Sequence, residues 1–256
     1  GSVGNYFLYN TWYGCTSLAT AVVPDTSGWE VTGSVGDSFL RNTWYGCTSL
    51  VTAVVPDTSG WEVTGSVGNY FLYNTWYGCT SLATAVVPDT SHWNITGSIG
   101  DSFLRNTWYK CTSLTTAVVP DTSGWEVTGS VGNYFMTSAW TDCTSLATAV
   151  IPDTSHWNIS GSVGTSFLSC TWERCDGIKD ISNIVLSNSF NTLSLYSGTD
   201  NFYHTFYVSV GIRDTIESYP SFYDGTLIID AGTPTTRRST FSGRITKILG
   251  TNSMWK

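Results

Sequence analysis

A unit of 32 residues recurs almost unchanged through most of this 256-residue chain. The first copy, GSVGNYFLYNTWYGCTSLATAVVPDTSGWEVT, covers residues 1–32, and further copies begin at residues 33, 65, 97, 129 and 161. A period between about 20 and 50 residues is typical of solenoids, in which each coil buries its apolar face by stacking on its neighbours. A second rhythm is superposed, because copies one, three and five read GNYF where copies two and four read GDSF, which indicates tandem duplication of a 64-residue block.

The residues of each unit favour short extended segments over helix, because the unit contains Gly, Pro and many β-branched residues. In the first unit we expect a strand from Leu18 to Val23 with Ala21 facing inward, ended by Pro24, which cannot donate to a β-ladder. Asp25 then begins a turn, since its side chain can bond to nearby backbone. The predicted fold class is all-β or mostly β, a leucine-rich-repeat-like solenoid of about six regular 32-residue coils with a degenerate C-terminal cap.

Coils stacked about 4.8 Å apart place equivalent residues in rows along the axis. We expect three such positions to form the core, as a ladder of Trp12, Cys15, Leu18, Trp44, Cys47, Leu50, Trp76, Cys79, Leu82, Trp108, Cys111 and Leu114. The Cys row is a weak candidate for catalysis, because a nucleophilic Cys needs a nearby base or cation and the first two units contain no His. Zinc needs about four converging ligands, which a linear row does not supply. The sequence therefore predicts no catalytic residue, no metal and no cofactor.

Two interpretations are open for each of three smaller features: a cysteine pair, two glycosylation sequons and a row of aspartates. Cys170 and Cys175 are near enough in sequence for a local disulfide, although Cys175 also belongs to the inward Cys row. The sequons at Asn94 and Asn158 are either glycosylation sites or chance products of the duplication. One further row is either a set of Asx turns or a calcium site, since neighbouring carboxylates repel unless hydrogen bonds or a cation intervene. That row is Asp25, Asp57, Asp89, Asp121 and Asp153.

The repeated motif resembles a known family. Trp12 to Leu18 (WYGCTSL), followed by Val23-Pro24, is similar to the repeat of the BspA-like leucine-rich-repeat surface proteins, in which an aromatic, a Cys and a Leu precede a hydrophobic residue and Pro. The resemblance covers residue 1 to about residue 178, and the units here are longer than the family's usual repeat. It implies a solenoid with an extracellular, adhesive or assembly role and no enzyme activity.

Two regions follow from the decay of the repeat. Residues 1–175 are predicted to form the solenoid, and residues 176–256 to form irregular terminal coils acting as a C-terminal cap. Degenerate copies of the motif at 201–212 and 237–249 support the prediction of a cap. The alternative is an independent small β domain.

Two rows are candidate binding surfaces. Tyrosines that follow the inward Trp give a half-exposed aromatic row suited to protein or glycan contact, or packing over the next coil; these are Tyr13, Tyr45, Tyr77 and Tyr109. Outward Thr and Val on the predicted strand give a regular strip suited to a protein, a glycan or ice, or simply a solvated sheet. The strip comprises Thr20, Val22, Thr52, Val54, Thr84, Val86, Thr116, Val118, Thr148 and Val150.

Composition narrows the function class. The formal net charge of −8 disfavours nucleic acid, and no apolar run approaches the roughly 18 residues of a membrane span. We expect an extracellular or cell-surface protein that binds a protein or glycan along an extended surface. The alternative is a self-assembling subunit of a fibre or array that docks end to end, because Gly1 begins an ordinary unit and the N-terminal end is expected to be uncapped. Ice binding by the Thr/Val strip is a minor alternative.

Overall fold

The computed structural model describes residues 1–154 and 156–178, which form a stack of 32-residue coils. The described residues contain no helix and no extended strand; their backbone consists of turns, bends and isolated parallel β-bridges. One row of bridges joins Val3, Val35, Val67, Ile99, Val131 and Val163, and a second joins Thr20, Thr52, Thr84 and Thr116. Each bridge joins positions one repeat apart, so neighbouring coils stack in register.

The strand expected from Leu18 to Val23 is reduced to a single bridge at Thr20 in each of the first four coils. Within those coils, the backbone from Ala21 to Pro24 and its equivalents make no hydrogen bonds to one another. Hydroxyl groups and turn-rich segments connect the coils instead. The described residues therefore do not confirm regular β-strands, while a solenoid of stacked coils is present.

Residues 5–14 and their equivalents form a run of turns with unusual backbone angles. Tyr6 has a φ of 65° and Asn10 a φ of 56°, a region that costs an L-residue roughly 1–2 kcal/mol. The strain is offset because these N–H groups turn toward the next coil. Tyr6 donates to the carbonyl of Asp37 at 2.8 Å, and Asn10 donates to the carbonyl of Arg41 at 3.1 Å.

Side chains along this segment point inward in pairs. In the second coil, residues 39–40, 43–44 and 47 are buried, whereas 41–42 and 45–46 are partly exposed. The pairing follows from successive turns, in which the N–H of Thr43 donates to the Leu40 carbonyl at 3.3 Å and that of Cys47 to the Trp44 carbonyl at 3.1 Å. The period-two rule of strands consequently does not apply here.

Aromatic rings fill the centre of the stack. Trp44 stacks on Trp76 with ring centroids 5.6 Å apart, and Phe39 stacks on Phe71 at 5.1 Å. Phe39 also meets Trp61 edge to face at 6.1 Å. Because these side chains are fully buried and in favourable ring geometries, each pair stabilises the stack by about 0.5–1.5 kcal/mol beyond the area it buries.

Buried threonines connect one coil to the next. The hydroxyl of Thr75 donates to the Leu40 carbonyl at 2.9 Å, and that of Thr58 donates to the Asp89 carbonyl at 2.6 Å. Both side chains are fully buried, and equivalent bonds recur in the neighbouring coils. These rows were not identified from the sequence, where Thr was assigned only to the outward strip.

The glycine in the fourth position of the unit is fixed by the closeness of the coils. A Cβ on Gly68 would lie 2.6 Å from the carbonyl carbon of Gly36 and 2.7 Å from the nitrogen of Asp37. Both are backbone atoms, which cannot rotate away. Any larger residue at Gly68 would therefore force neighbouring coils apart.

The predicted C-terminal cap lies outside the described residues, apart from residues 176–178. The division at residue 175 therefore stays a prediction.

Candidate binding surface

From the second coil onward, the Cys row is buried and lies against backbone carbonyls. The thiol of Cys47 donates to the carbonyl of Trp12 at 3.1 Å, and that of Cys79 to the carbonyl of Trp44 at 3.1 Å. Burial raises the pKa of Cys47 to about 11 and that of Cys79 further, so these thiols stay protonated at neutral pH. A protonated, buried thiol is a poor nucleophile, which favours the structural interpretation of the row.

The first coil departs from the predicted core. Cys15 is exposed, and Trp12 and Leu18 are only half-buried, whereas their counterparts in the next three coils are fully buried. The difference arises because residues of the first described coil are covered by a neighbouring coil on one side only. Cys170 and Cys175 are both free thiols, so the local disulfide is absent.

The Asp row forms Asx turns. Oδ1 of Asp25 accepts hydrogen bonds from the hydroxyl of Ser27 at 2.7 Å and from its N–H at 3.0 Å, and the same geometry recurs at Asp57, Asp89 and Asp121. These bonds lower the pKa of Asp25, with the hydroxyl bond as the larger cause. Among the described residues, no group of three or more His, Cys, Asp or Glu side chains is placed to hold a metal ion.

The Thr/Val strip is exposed unevenly along the stack. Val22 is 79% exposed and Val54 is 38% exposed, whereas Val86, Val118 and Val150 are only partly exposed. Thr20, Thr52, Thr84 and Thr116 are exposed and Thr148 is half-buried. An open groove of about 360 Å³ separates the fourth and fifth coils, lined by residues 117–122 and 150–151 with Asp153. Val22 belongs to the first described coil, which a neighbouring coil covers on one side only, and ice binding stays a prediction.

The Tyr row forms a continuous stack. Ring centroids of Tyr13, Tyr45, Tyr77 and Tyr109 are 4.6–4.7 Å apart, with planes within 9° of parallel. Tyr13 is 53% exposed and the other three are half-buried. Tyr45 and Tyr77 are covered on both ring faces by their neighbours, so their ring edges and hydroxyl groups are what meets the solvent. Desolvation raises the pKa of Tyr45 and of Tyr109, so these hydroxyls remain neutral donors at physiological pH.

A second aromatic surface lies beside this row and alternates with the 64-residue rhythm. Arg41 lies over Tyr70 at 4.5 Å from its centroid, over Tyr73 at 5.3 Å and over Tyr9 at 5.4 Å. Arg105 lies over Tyr134 at 4.5 Å and over Tyr73 at 5.8 Å. Each cation–π contact is worth about 0.5–1 kcal/mol at an exposed site. We call this surface the Tyr–Arg face, formed by Tyr6, Tyr9, Arg41, Tyr70, Tyr73, Arg105 and Tyr134.

The alternation also separates like charges in a neighbouring row. One row consists of Asn5, Asp37, Asn69, Asp101 and Asn133, stacked in consecutive coils. From the second member onward, the backbone N–H of each residue donates to the Oδ1 of the residue before it, at 2.7–2.8 Å. The amide of Asn69 also donates to Asp37 at 3.2 Å. An Asn therefore stands between each pair of carboxylates. The sequence showed the duplication, but its physical reason needed the knowledge of which residues stack.

Neither arginine of the Tyr–Arg face is paired with an acid. In the described part of the chain, the one salt bridge joins Arg174 to Asp142 at 2.6 Å. The Nε atoms of Arg41 and Arg105 are buried without a hydrogen-bond partner. Their guanidinium groups are held in place by tyrosine rings rather than by carboxylates, which leaves the positive charge uncompensated on this face.

The described residues thus define a repeat solenoid with a tyrosine- and arginine-lined surface. No family model matches the chain, and no curated protein matches it. Among solved structures, the chain is similar to the crystal structure of a leucine-rich repeat protein from T. pallidum, with 23% identity, coverage of 66% of this chain and 71% of that chain, and a TM-score of 0.36. Membership of the BspA-like subtype stays a prediction. No helix within residues 1–154 and 156–178 has the length and apolar character of a membrane span.

Proposed function

We propose that this chain is an extracellular or cell-surface repeat protein that mediates adhesion by binding a protein along its extended surface. One observation carries the proposal: the Tyr row and the Tyr–Arg face occupy the same turn-rich segment of successive coils and offer hydroxyl groups and guanidinium groups to a partner. Tyr and Arg are enriched at the energetic centres of protein interfaces. Solenoids also bind along extended surfaces rather than in deep pockets.

A protein partner is favoured over a glycan by the orientation of the rings. Both faces of Tyr45 and of Tyr77 are covered by neighbouring tyrosine rings, so they are not available to stack on a sugar ring. The exposed edges and hydroxyl groups instead suit hydrogen bonding to polar groups of a protein surface. We therefore expect carboxylates and backbone carbonyls to be the groups recognised.

The experiment is a binding screen of the purified chain against immobilised matrix proteins and a glycan array. Arg41→Gln combined with Arg105→Gln removes both cations of the Tyr–Arg face, and Thr20→Glu combined with Thr84→Glu makes the same change in net charge on the exposed Thr/Val strip. Binding to a matrix protein that the first variant loses at least tenfold and the second retains would support the proposal. Binding to glycans alone, or equal affinities for the two variants, would overturn it.

A second candidate is self-assembly through coil ends into a fibre, favoured by the polarity of the hydrogen bonds between coils. In the second coil, the N–H groups of Asn42, Trp44 and Gly46 all donate forward, to carbonyls of Tyr73, Thr75 and Tyr77. One side of this segment in a coil therefore offers N–H groups and the other offers carbonyls, so coils of different copies could pair as adjacent coils do. Negative-stain microscopy tests this, since single-solenoid-wide filaments would support it and a clean monomer at high concentration would count against it.

A further inference from the structure

The chain carries an acidic row that complements the Tyr–Arg face. Glu30, Glu62 and Glu126 occupy the same position of the first, second and fourth coils and are all exposed. Within the described residues, none of their carboxylates forms a salt bridge. We call these three residues the acidic ridge. The Asx-turn aspartates lie five residues before each of them, and they too are exposed.

The two surfaces have the same spacing because the same coils build both. Arg41 and Glu62 belong to the second coil, and Arg105 and Glu126 belong to the fourth. The distance from one arginine to the other along the axis therefore equals the distance between those two glutamates. Two copies lying side by side can pair both arginines with both glutamates at once, which an unrelated acidic surface would match only by coincidence.

We propose that a second copy of this chain docks its acidic ridge onto the Tyr–Arg face, so that solenoids associate side by side. The inference rests on the proposed binding role of that face and names its partner. The contact joins two different patches, so it is heterologous. Each pair of copies therefore keeps one acidic ridge and one Tyr–Arg face free. Copies can then be added repeatedly in one direction, which would produce an open row or a ring rather than a closed dimer.

The energetics favour a weak, salt-sensitive contact that gains strength from repetition. A single exposed ion pair is worth about 0–1 kcal/mol. Here the guanidinium groups are already oriented by tyrosine rings, so less side-chain freedom is lost when a carboxylate binds. Several such pairs along one solenoid act together. At about 1 M salt the Debye length falls to roughly 3 Å, and the contact should dissociate.

Sedimentation velocity on the full chain and two variants tests the proposal. The face variant is Arg41→Gln with Arg105→Gln, and the ridge variant is Glu30→Lys with Glu62→Lys and Glu126→Lys. We expect the unmodified chain to form larger species as its concentration rises and each variant alone to remain monomeric. A mixture of the two variants should form a heterodimer and nothing larger, because only one intact ridge and one intact face can meet.

The control is Thr20→Glu with Thr84→Glu on the exposed Thr/Val strip, which changes the net charge as the face variant does and should still associate. Far-ultraviolet circular dichroism and thermal unfolding confirm that each variant is folded. A wild-type chain that stays monomeric at every concentration and at low salt would overturn the proposal, as would a face variant that still associates or a mixture that does not.

The proposed function can fail or stand separately. A monomeric chain whose binding to a matrix protein depends on Arg41 and Arg105 would sink side-by-side association and leave the adhesive role intact. A chain that associates but binds no matrix protein would support side-by-side association and overturn the adhesive role.

Discussion

Replacing Asn69 with Asp tests why the 64-residue rhythm exists. Asn69 stands between Asp37 and Asp101, receives the N–H of Asp101 on its Oδ1 at 2.8 Å, and donates its amide to Asp37 at 3.2 Å. The substitution would place three carboxylates in consecutive coils. It would also remove the amide donor that now separates the charges.

The expected cost follows from the spacing. Ring centroids in the neighbouring Tyr row are 4.6–4.7 Å apart, which sets the distance between coils in this segment. Two like charges about 5 Å apart repel by about 0.8 kcal/mol in water and about 3 kcal/mol at an effective dielectric constant of 20. With about 1.5 kcal/mol for each of two repulsions and about 1 kcal/mol for the lost hydrogen bond, Asn69→Asp should lower the free energy of unfolding by about 4 kcal/mol.

Asn133→Asp is the matched comparison. Asn133 also donates its amide to an aspartate, Asp101, at 3.3 Å, but its other neighbour in the row is Thr165. This variant loses one hydrogen bond and gains one repulsion, so it should cost about 2.5 kcal/mol. Denaturant unfolding at low salt measures both, and the difference of about 1.5 kcal/mol isolates the second repulsion.

The cost of Asn69→Asp in free energy of unfolding should depend on pH in a definite direction. Two neighbouring carboxylates raise the folded-state pKa of the introduced Asp above its unfolded value of about 3.9. Its unfavourable contribution is therefore complete above the folded-state pKa and disappears as the pH falls below the unfolded value. The gap between Asn69→Asp and Asn133→Asp should narrow from pH 7 to pH 4 and also in 1 M salt. Equal costs for the two variants, or a gap indifferent to pH and salt, would refute this explanation of the rhythm.

Three further substitutions follow from the contacts between coils. Gly68→Ala should lower the thermal midpoint severely, because its Cβ would overlap backbone atoms of the neighbouring coil. The Cβ of Gly4→Ala would meet nothing within 4 Å, so this variant should change the midpoint little. Equal midpoints for the two variants would contradict the close approach of the coils. Thr75→Val keeps the shape but removes a buried hydroxyl bond and should cost about 1–2 kcal/mol in denaturant unfolding, and a neutral result would contradict that bond. Cys79→Ser should cost about 1–3 kcal/mol by burying a hydroxyl, while exposed Thr84→Ser should be nearly neutral, and the reverse order would contradict the inward and outward assignment.

The sequence predicted the rows but not the backbone that carries them. Periodicity alone placed Trp44, Cys47 and Leu50 at equivalent positions, and they are fully buried because in-register coils stack like on like. The pairwise inward pattern of residues 39–47 was missed, since no propensity rule anticipates left-handed φ at Ser38 or Leu40. The cost of these angles is offset only when a neighbouring coil accepts the hydrogen bonds of the same residues. Predicting them therefore requires knowing how the coils stack.

The Tyr–Arg face illustrates the same limit. Its residues were visible as the difference between GNYFLYN and GDSFLRN, and that difference was interpreted only as duplication. Arg41 contacts tyrosines of the coils before and after it, 32 residues away in either direction. These residues are far apart in sequence, but they fall at the same position when the units are aligned at their 32-residue period. The contacts of Arg41 with Tyr9 and Tyr73 and the Asn/Asp alternation both join positions one period apart.

Equivalent positions of the repeat lie in straight rows, one coil apart. Nitroxide labels at Thr20 and Thr148, carried by non-canonical amino acids to avoid the native thiols, report the distance across four coil steps. Pulsed electron paramagnetic resonance should give a narrow distribution near roughly 20 Å, which is four steps of about 4.8 Å. A broad distribution, or a mean distance beyond about 30 Å, would contradict in-register stacking at the spacing of adjacent β-bridges.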